Sequence, residues 1–114
     1  MAYKMAGITD PAKEVDFAEV DDRFAFKELQ HIEALGLVKG SDLPALISEG
    51  YFERDGEKPV NVSSGSLGCG NLLECTGGQK ALEVVLQLRK EAGKTPTRQM
   101  RNRRRAILEV LAYE

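Results

Sequence analysis

The spacing of apolar positions shifts between two and nearly four along this chain, and each shift predicts an element. Val15-Asp16-Phe17-Ala18-Glu19-Val20 alternates apolar with polar or small residues, the period of a strand. Asp21-Asp22 closes it, and a carboxylate there can cap the free N–H groups that open a following helix. Ala25, Leu29, Ile32 and Leu35 then recur at helical spacing, and Gly36 supplies a stop. Upstream, residues 1–11 read as a short helical or loop lead that ends at Asp10-Pro11, because proline disfavours helical backbone in the residue before it. Downstream, Ser41 is a candidate N-cap for a short helix running towards Gly50, with Pro44 tolerated in its first turn. Asp55-Gly56 marks residues 53–59 as a solvent-exposed turn.

From Val60 to Gly70 the text is too rich in glycine and serine for a helix, and reads as backbone that passes close to something. Residues 71–92 then form the longest predicted helix, ended by Gly93. Leu82, Val85, Leu86 and Leu88 give it a broad apolar side, which predicts a largely buried helix. Gly77-Gly78 near its start predicts close packing of another backbone. The final segment, residues 98–114, fits a helix or a strand equally well by pattern. Strand, helix, glycine loop and buried helix in that order predict a layered α/β domain rather than a bundle.

Length and composition change this picture little. The 114 residues suit one domain with a real core, and 42% hydrophobic with 30% charged residues is an ordinary globular balance. A net charge of −2 supplies no overall field towards nucleic acid or an anionic membrane. No apolar run reaches the length of a membrane span, and the first ten residues lack a signal-peptide core, so a cytoplasmic location is expected. The charge is uneven, with five arginines between Arg98 and Arg105. Such a cluster is most simply a solvated face. Its sharper reading is a phosphate patch for coenzyme A or nucleic acid, and the absence of interleaved aromatic residues argues against stacking on single strands.

Cys69 and Cys75 lie six apart with no second pair, and His31 is remote from both, so neither a metal site nor a disulfide framework is expected. Both cysteines read as compact, reduced hydrophobes, although Cys75 falls where a helix N-terminus would favour a thiolate. His31 reads as a surface or packing residue. The glycine loop lacks the lysine that a phosphate-binding loop of the Walker type would carry after it.

Three stretches carry a family resemblance. Glu19-Val20-Asp21-Asp22-Arg23-Phe24, with Glu28-Leu29-Gln30-His31-Ile32-Glu33-Ala34-Leu35-Gly36-Leu37 behind it, is similar to the segment that opens the C-terminal half of sterol-carrier, or lipid-transfer, thiolases. Val60-Asn61-Val62-Ser63-Ser64-Gly65 resembles the Val-Asn-Pro-Ser-Gly-Gly turn of that superfamily. Gly68-Cys69-Gly70-Asn71-Leu72-Leu73-Glu74-Cys75-Thr76-Gly77 stands in the place of its Gly-His-Pro motif and the helix start that follows. The resemblance runs from Ala6 to Gly93, and divides the chain into a thiolase C-terminal-like domain at 1–93 and a diverged basic tail at 94–114. It implies a layered α/β thiolase-like C-terminal domain that is incomplete relative to the full fold. It also implies acyl-CoA chemistry of the acetyl-CoA acetyltransferase kind, with a coenzyme A thioester as substrate and no covalently bound cofactor. Close association would follow, with an N-terminal thiolase half or a second copy, and some relatives add a zinc-ribbon/OB-fold companion.

The departures from the family pattern bear on activity. The family's nucleophilic cysteine belongs to the N-terminal half, outside these 114 residues. The Gly-His-Pro histidine falls on Asn71, which can donate a hydrogen bond to an oxyanion but cannot relay a proton at neutral pH. The histidine of the first motif falls on Asp21, whose charge would repel an oxyanion, and Arg23 replaces a cysteine. No cysteine follows Cys75 to supply the family's last catalytic group. Asn71 and Asp21 are therefore the candidate catalytic positions, and Ser63, Gly65 and Gly70 the candidate lining of the thioester pocket. The reading that follows is a half or shortened relative of a thiolase, inactive alone and needing a partner chain. Its rivals are a non-catalytic binding or assembly module on the same fold and, further off, a basic nucleic-acid adaptor.

Overall fold

The computed structural model describes residues 2–63, 65–66, 75–92 and 106–108. Helices dominate these residues: α1 (Ala2–Met5), α2 (Pro11–Glu14), α3 (Ala25–Ala34), α4 (Leu43–Ser48) and α5 (Thr76–Leu88), with a 3-10 turn at Gly40–Asp42. Two short strands, β1 (Phe17–Glu19) and β2 (Ala106–Leu108), pair in parallel, with Phe17 opposite Ala106, Ala18 opposite Ile107 and Glu19 opposite Leu108. Ala18 also bridges Val60: its N–H donates to Pro59 and its carbonyl accepts from Asn61 N–H, so the chain at 59–61 runs along the other edge of β1. β1 is thereby central. The ambiguous final segment resolves as a strand at Ala106–Leu108, drawn from the residues read as a basic tail.

Cover on both faces, by Ile32 of α3 over Ala18 and Val20 and by Val84 of α5 over Phe17, explains why the predicted alternation does not become alternating burial. Phe17, Ala18, Glu19 and Val20 are all buried, the pattern of a parallel strand covered on both faces rather than one open to water on one side. Val15, Ala18 and Val20 join Ile32, Leu37 and Val60 in the main core, with Tyr3, Leu35, Leu43 and Phe52 packed around it. Lys58, also buried, donates its ammonium protons to the carbonyls of Ala12 and Val15 and ties α2 to the start of β1.

Helix α3 forms where the apolar period predicts it, and Gly36 ends it at φ +66° with hydrogen bonds from Gly36 N–H to Glu33 and from Leu37 N–H to Ile32. Gly50 closes α4 in the same way. Asp21 and Asp22, however, do not cap α3. Its N-cap is Phe24, without a side-chain bond, because both carboxylates are drawn elsewhere: Asp21 to Arg23, and Asp22 to Ser66 N–H. Nor does Ser41 cap α4; its hydroxyl donates to Asp42 Oδ1.

Helix α5 departs furthest from expectation. It begins at Thr76, residues 71–74 lying outside the described set, and it ends at Leu88, well before Gly93. Lys90 takes the left-handed position at φ +63°, with Lys90 N–H bonded to Gln87 and Glu91 N–H to Leu86. Its inward stripe is Lys80, Val84 and Gln87, while Leu82, Val85 and Leu88 are 57%, 45% and 37% exposed. The predicted apolar side is thus largely the outer one. Among the described residues nothing comes close to a Cβ built on Gly78, so close backbone packing is not the reason for that glycine.

Candidate functional site

The end of β1, the loop at 61–66 and the buried stripe of α5 meet in one polar network. Glu19 is fully buried, and its carboxylate accepts from Ser63 N–H at 3.1 Å, Ser63 Oγ at 2.7 Å and Gln87 Nε2 at 3.0 Å. Asp22, 5% exposed, accepts Ser66 N–H at 2.6 Å. Asn61 is the hub. Its Oδ1 accepts from Val20 N–H at 2.8 Å and from Lys80 Nζ at 3.2 Å, and its Nδ2 donates to Glu28 Oε1 at 2.9 Å. A φ of 53° aims the side chain back at β1, a backbone state that asparagine tolerates better than most residues.

The charges in the network are unequal. Lys80 Nζ lies 3.8 Å from Glu19 Oε2 and 3.9 Å from Asp22 Oδ1, so one buried ammonium faces two buried carboxylates, with Glu28 beyond them on α3. Burial pushes the Glu28 carboxyl above the usual carboxylate range; the hydrogen bond from Asn61 opposes this, and the charge of Asp22 adds to it. An ammonium at the centre also makes the cluster a poor cation site, and no set of three or more metal-ligating side chains occurs among the described residues.

Of the residues singled out by motif, Ser63 and Gly65 come into this network and Asp21 stands beside it. Gly65 is buried at φ +67°, and a Cβ there would overlap the Asp22 carboxylate. Asp21 is also buried, but its carboxylate takes the Arg23 guanidinium at 3.0 Å, which offsets the negative charge expected to repel an oxyanion. Gly70, Asn71 and Cys69 lie outside the described residues. Cys75 is a free, exposed thiol at the N-cap of α5. His31 is buried, a packing residue of α3. An apolar cleft of about 230 Å³ opens between α3 and α4, lined by Leu29, Ile32, Ile47 and Phe52 and reaching Glu28. Neither Lys80 nor Gln87 was singled out as a site residue by sequence, Gln87 reading only as a polar position of the helix, although both share one helical face with Val84.

The thiolase C-terminal domain-like model matches residues 1–112, and the chain belongs to that family. Among individual relatives, the acetyl-CoA acetyltransferase of Methanothermobacter thermautotrophicus is 40% identical over 93 residues, covering 82% of this chain and 24% of the relative. The acetyl-CoA acetyltransferase of Methanocaldococcus jannaschii is 37% identical over 92 residues, covering 79% and 23%. Human sterol carrier protein 2 is 35% identical over 92 residues, covering 81% and 16%. The chain thus spans about a quarter or less of the length of these curated relatives. Among the described residues no helix is long and apolar enough to cross a membrane.

Proposed function

We propose that this chain is the C-terminal part of a thiolase-like acyl-CoA acyltransferase, inactive by itself and completed by an N-terminal half that brings the nucleophilic cysteine. The observation that carries the reading is the clamped loop at 61–66: its motif is family-like, and buried carboxylates fix its backbone just ahead of the segment that contains Gly70 and Asn71. In this scheme a 3-oxoacyl thioester and coenzyme A give two shorter thioesters. Asn71 donates to the thioester oxygen and Gly70 leaves room for the substrate beside the chain, while Gly65 leaves room for the Asp22 carboxylate that holds the loop. Ser63 contributes by position, since its N–H and hydroxyl are already spent on Glu19. Arg23 keeps Asp21 from opposing charge on that oxygen.

The need for a companion surface is supported by large apolar side chains left in water. Phe24 and Phe26 stack at 5.7 Å while 60% and 57% exposed, and Leu82 and Val85 stand out from α5. The test is complementation. The chain is mixed with an N-terminal half prepared from the Methanothermobacter acetyl-CoA acetyltransferase, and thiolysis of acetoacetyl-CoA is followed by loss of its absorbance. Turnover by the mixture, absent from either component, is the expected result. No complex and no turnover would overturn the proposal; a complex without turnover would favour the non-catalytic assembly module.

A further inference from the structure

We infer that Lys80 is the positioning residue for the loop at 61–66, acting as buried countercharge to the two carboxylates that hold the loop's backbone; in taking this loop to face substrate, the inference rests on the function proposed above. Three acceptors surround its ammonium: Asn61 Oδ1 at 3.2 Å, Glu19 Oε2 at 3.8 Å and Asp22 Oδ1 at 3.9 Å. Each also holds a neighbouring piece of backbone. Asn61 takes Val20 N–H, Glu19 takes Ser63 N–H and Asp22 takes Ser66 N–H. The loop is therefore attached to the domain at three successive points, all grouped round one cation.

Apolar packing at the loop is limited. Val62 is the apolar side chain that these loop residues pack inward, against Phe17 and Val84. Helix α5 sets Lys80 and Gln87 on either side of Val84 in its inward stripe and leaves Leu82 and Val85 in water, so that stripe supplies a countercharge beside one apolar contact. Glu19 on β1, Asp22 after it and Glu28 on α3 are the charged groups that face Lys80 among the described residues. Deleting the ammonium leaves carboxylates buried without a counterion, a far larger penalty than the pair's net worth.

Amide hydrogen exchange on the 114-residue chain, followed by NMR, separates this role from simple packing. Lys80→Met keeps the volume and removes the charge. Exchange at Ser63 and Ser66 is expected to rise about a hundredfold while Ile32 in α3 is unchanged. Adding Asp22→Asn, which removes one uncompensated charge yet keeps an oxygen for Ser66 N–H, is expected to bring Ser66 back to within about tenfold of wild type. Unchanged exchange in Lys80→Met, or no rescue in the double variant, would overturn the assignment. Should Lys80→Met fail to fold, a folded double variant with a protected Ser66 supports the role, and an unfolded one overturns it. No acyl-CoA enters the measurement, so its outcome is separable from failure of the thiolysis test.

Discussion

Gly65→Ala probes the contact between the loop and the buried acids most directly. At φ +67° an L-residue costs roughly 1–2 kcal/mol more than glycine. The added Cβ falls within the Asp22 carboxylate, so the carboxylate must move from Ser66 N–H, now at 2.6 Å, and from Lys80, now at 3.9 Å. Losing a hydrogen bond to a charged group costs about 1.5–3 kcal/mol. Together these predict a destabilisation of about 2.5–5 kcal/mol. With an unfolding slope of roughly 1–3 kcal/mol per molar urea, the midpoint should fall by about 0.8 M or more. Gly78→Ala is the control. It sits on the exposed side of α5 with nothing near its Cβ, and should stabilise by about 0.5–1 kcal/mol. The assay is urea unfolding of all three proteins followed by circular dichroism. A Gly65→Ala midpoint within about 0.3 M of wild type would refute the packing argument, because neither the backbone strain nor the overlap would then exist.

Two further substitutions test separate parts of the description. Burial raises the Glu28 carboxyl, so the folded state holds that proton more tightly than the unfolded chain: its favourable contribution is full below the ordinary glutamate range and is lost as pH rises through the folded value. Urea midpoints from about pH 4 to about pH 7 should therefore show wild type losing ground to Glu28→Gln as pH rises, and parallel profiles would contradict this. Lys58→Met should cost about 1–3 kcal/mol in the same assay by leaving the carbonyls of Ala12 and Val15 without their donor; an unchanged midpoint would mean that water replaces the ammonium.

The family itself was legible from three short motifs, and the match over residues 1–112 bears that out. The candidate site was legible only in part. Ser63 and Gly65 were marked by motif, but their partners Glu19 and Asp22 are 44 and 43 residues away in sequence, and no local pattern pairs residues at that distance. Gln87 reaches Glu19 across 68 residues and carried no signal beyond its helical spacing from Lys80.

What the sequence by itself determined is local: α3 from its apolar period, and the stops at Gly36 and Gly50, where glycine enters the left-handed region without strain. Burial direction was decided by the tertiary structure. Periodicity says that apolar residues share a face, not which face the rest of the chain will cover. Hence β1 is buried on both faces once α3 and α5 pack over it, and α5 turns Lys80 inward because two buried carboxylates wait there for a countercharge. Likewise Asp22 was free to cap α3 until the fold brought in the Ser66 N–H, whereas Asp21 is taken by its sequence neighbour Arg23.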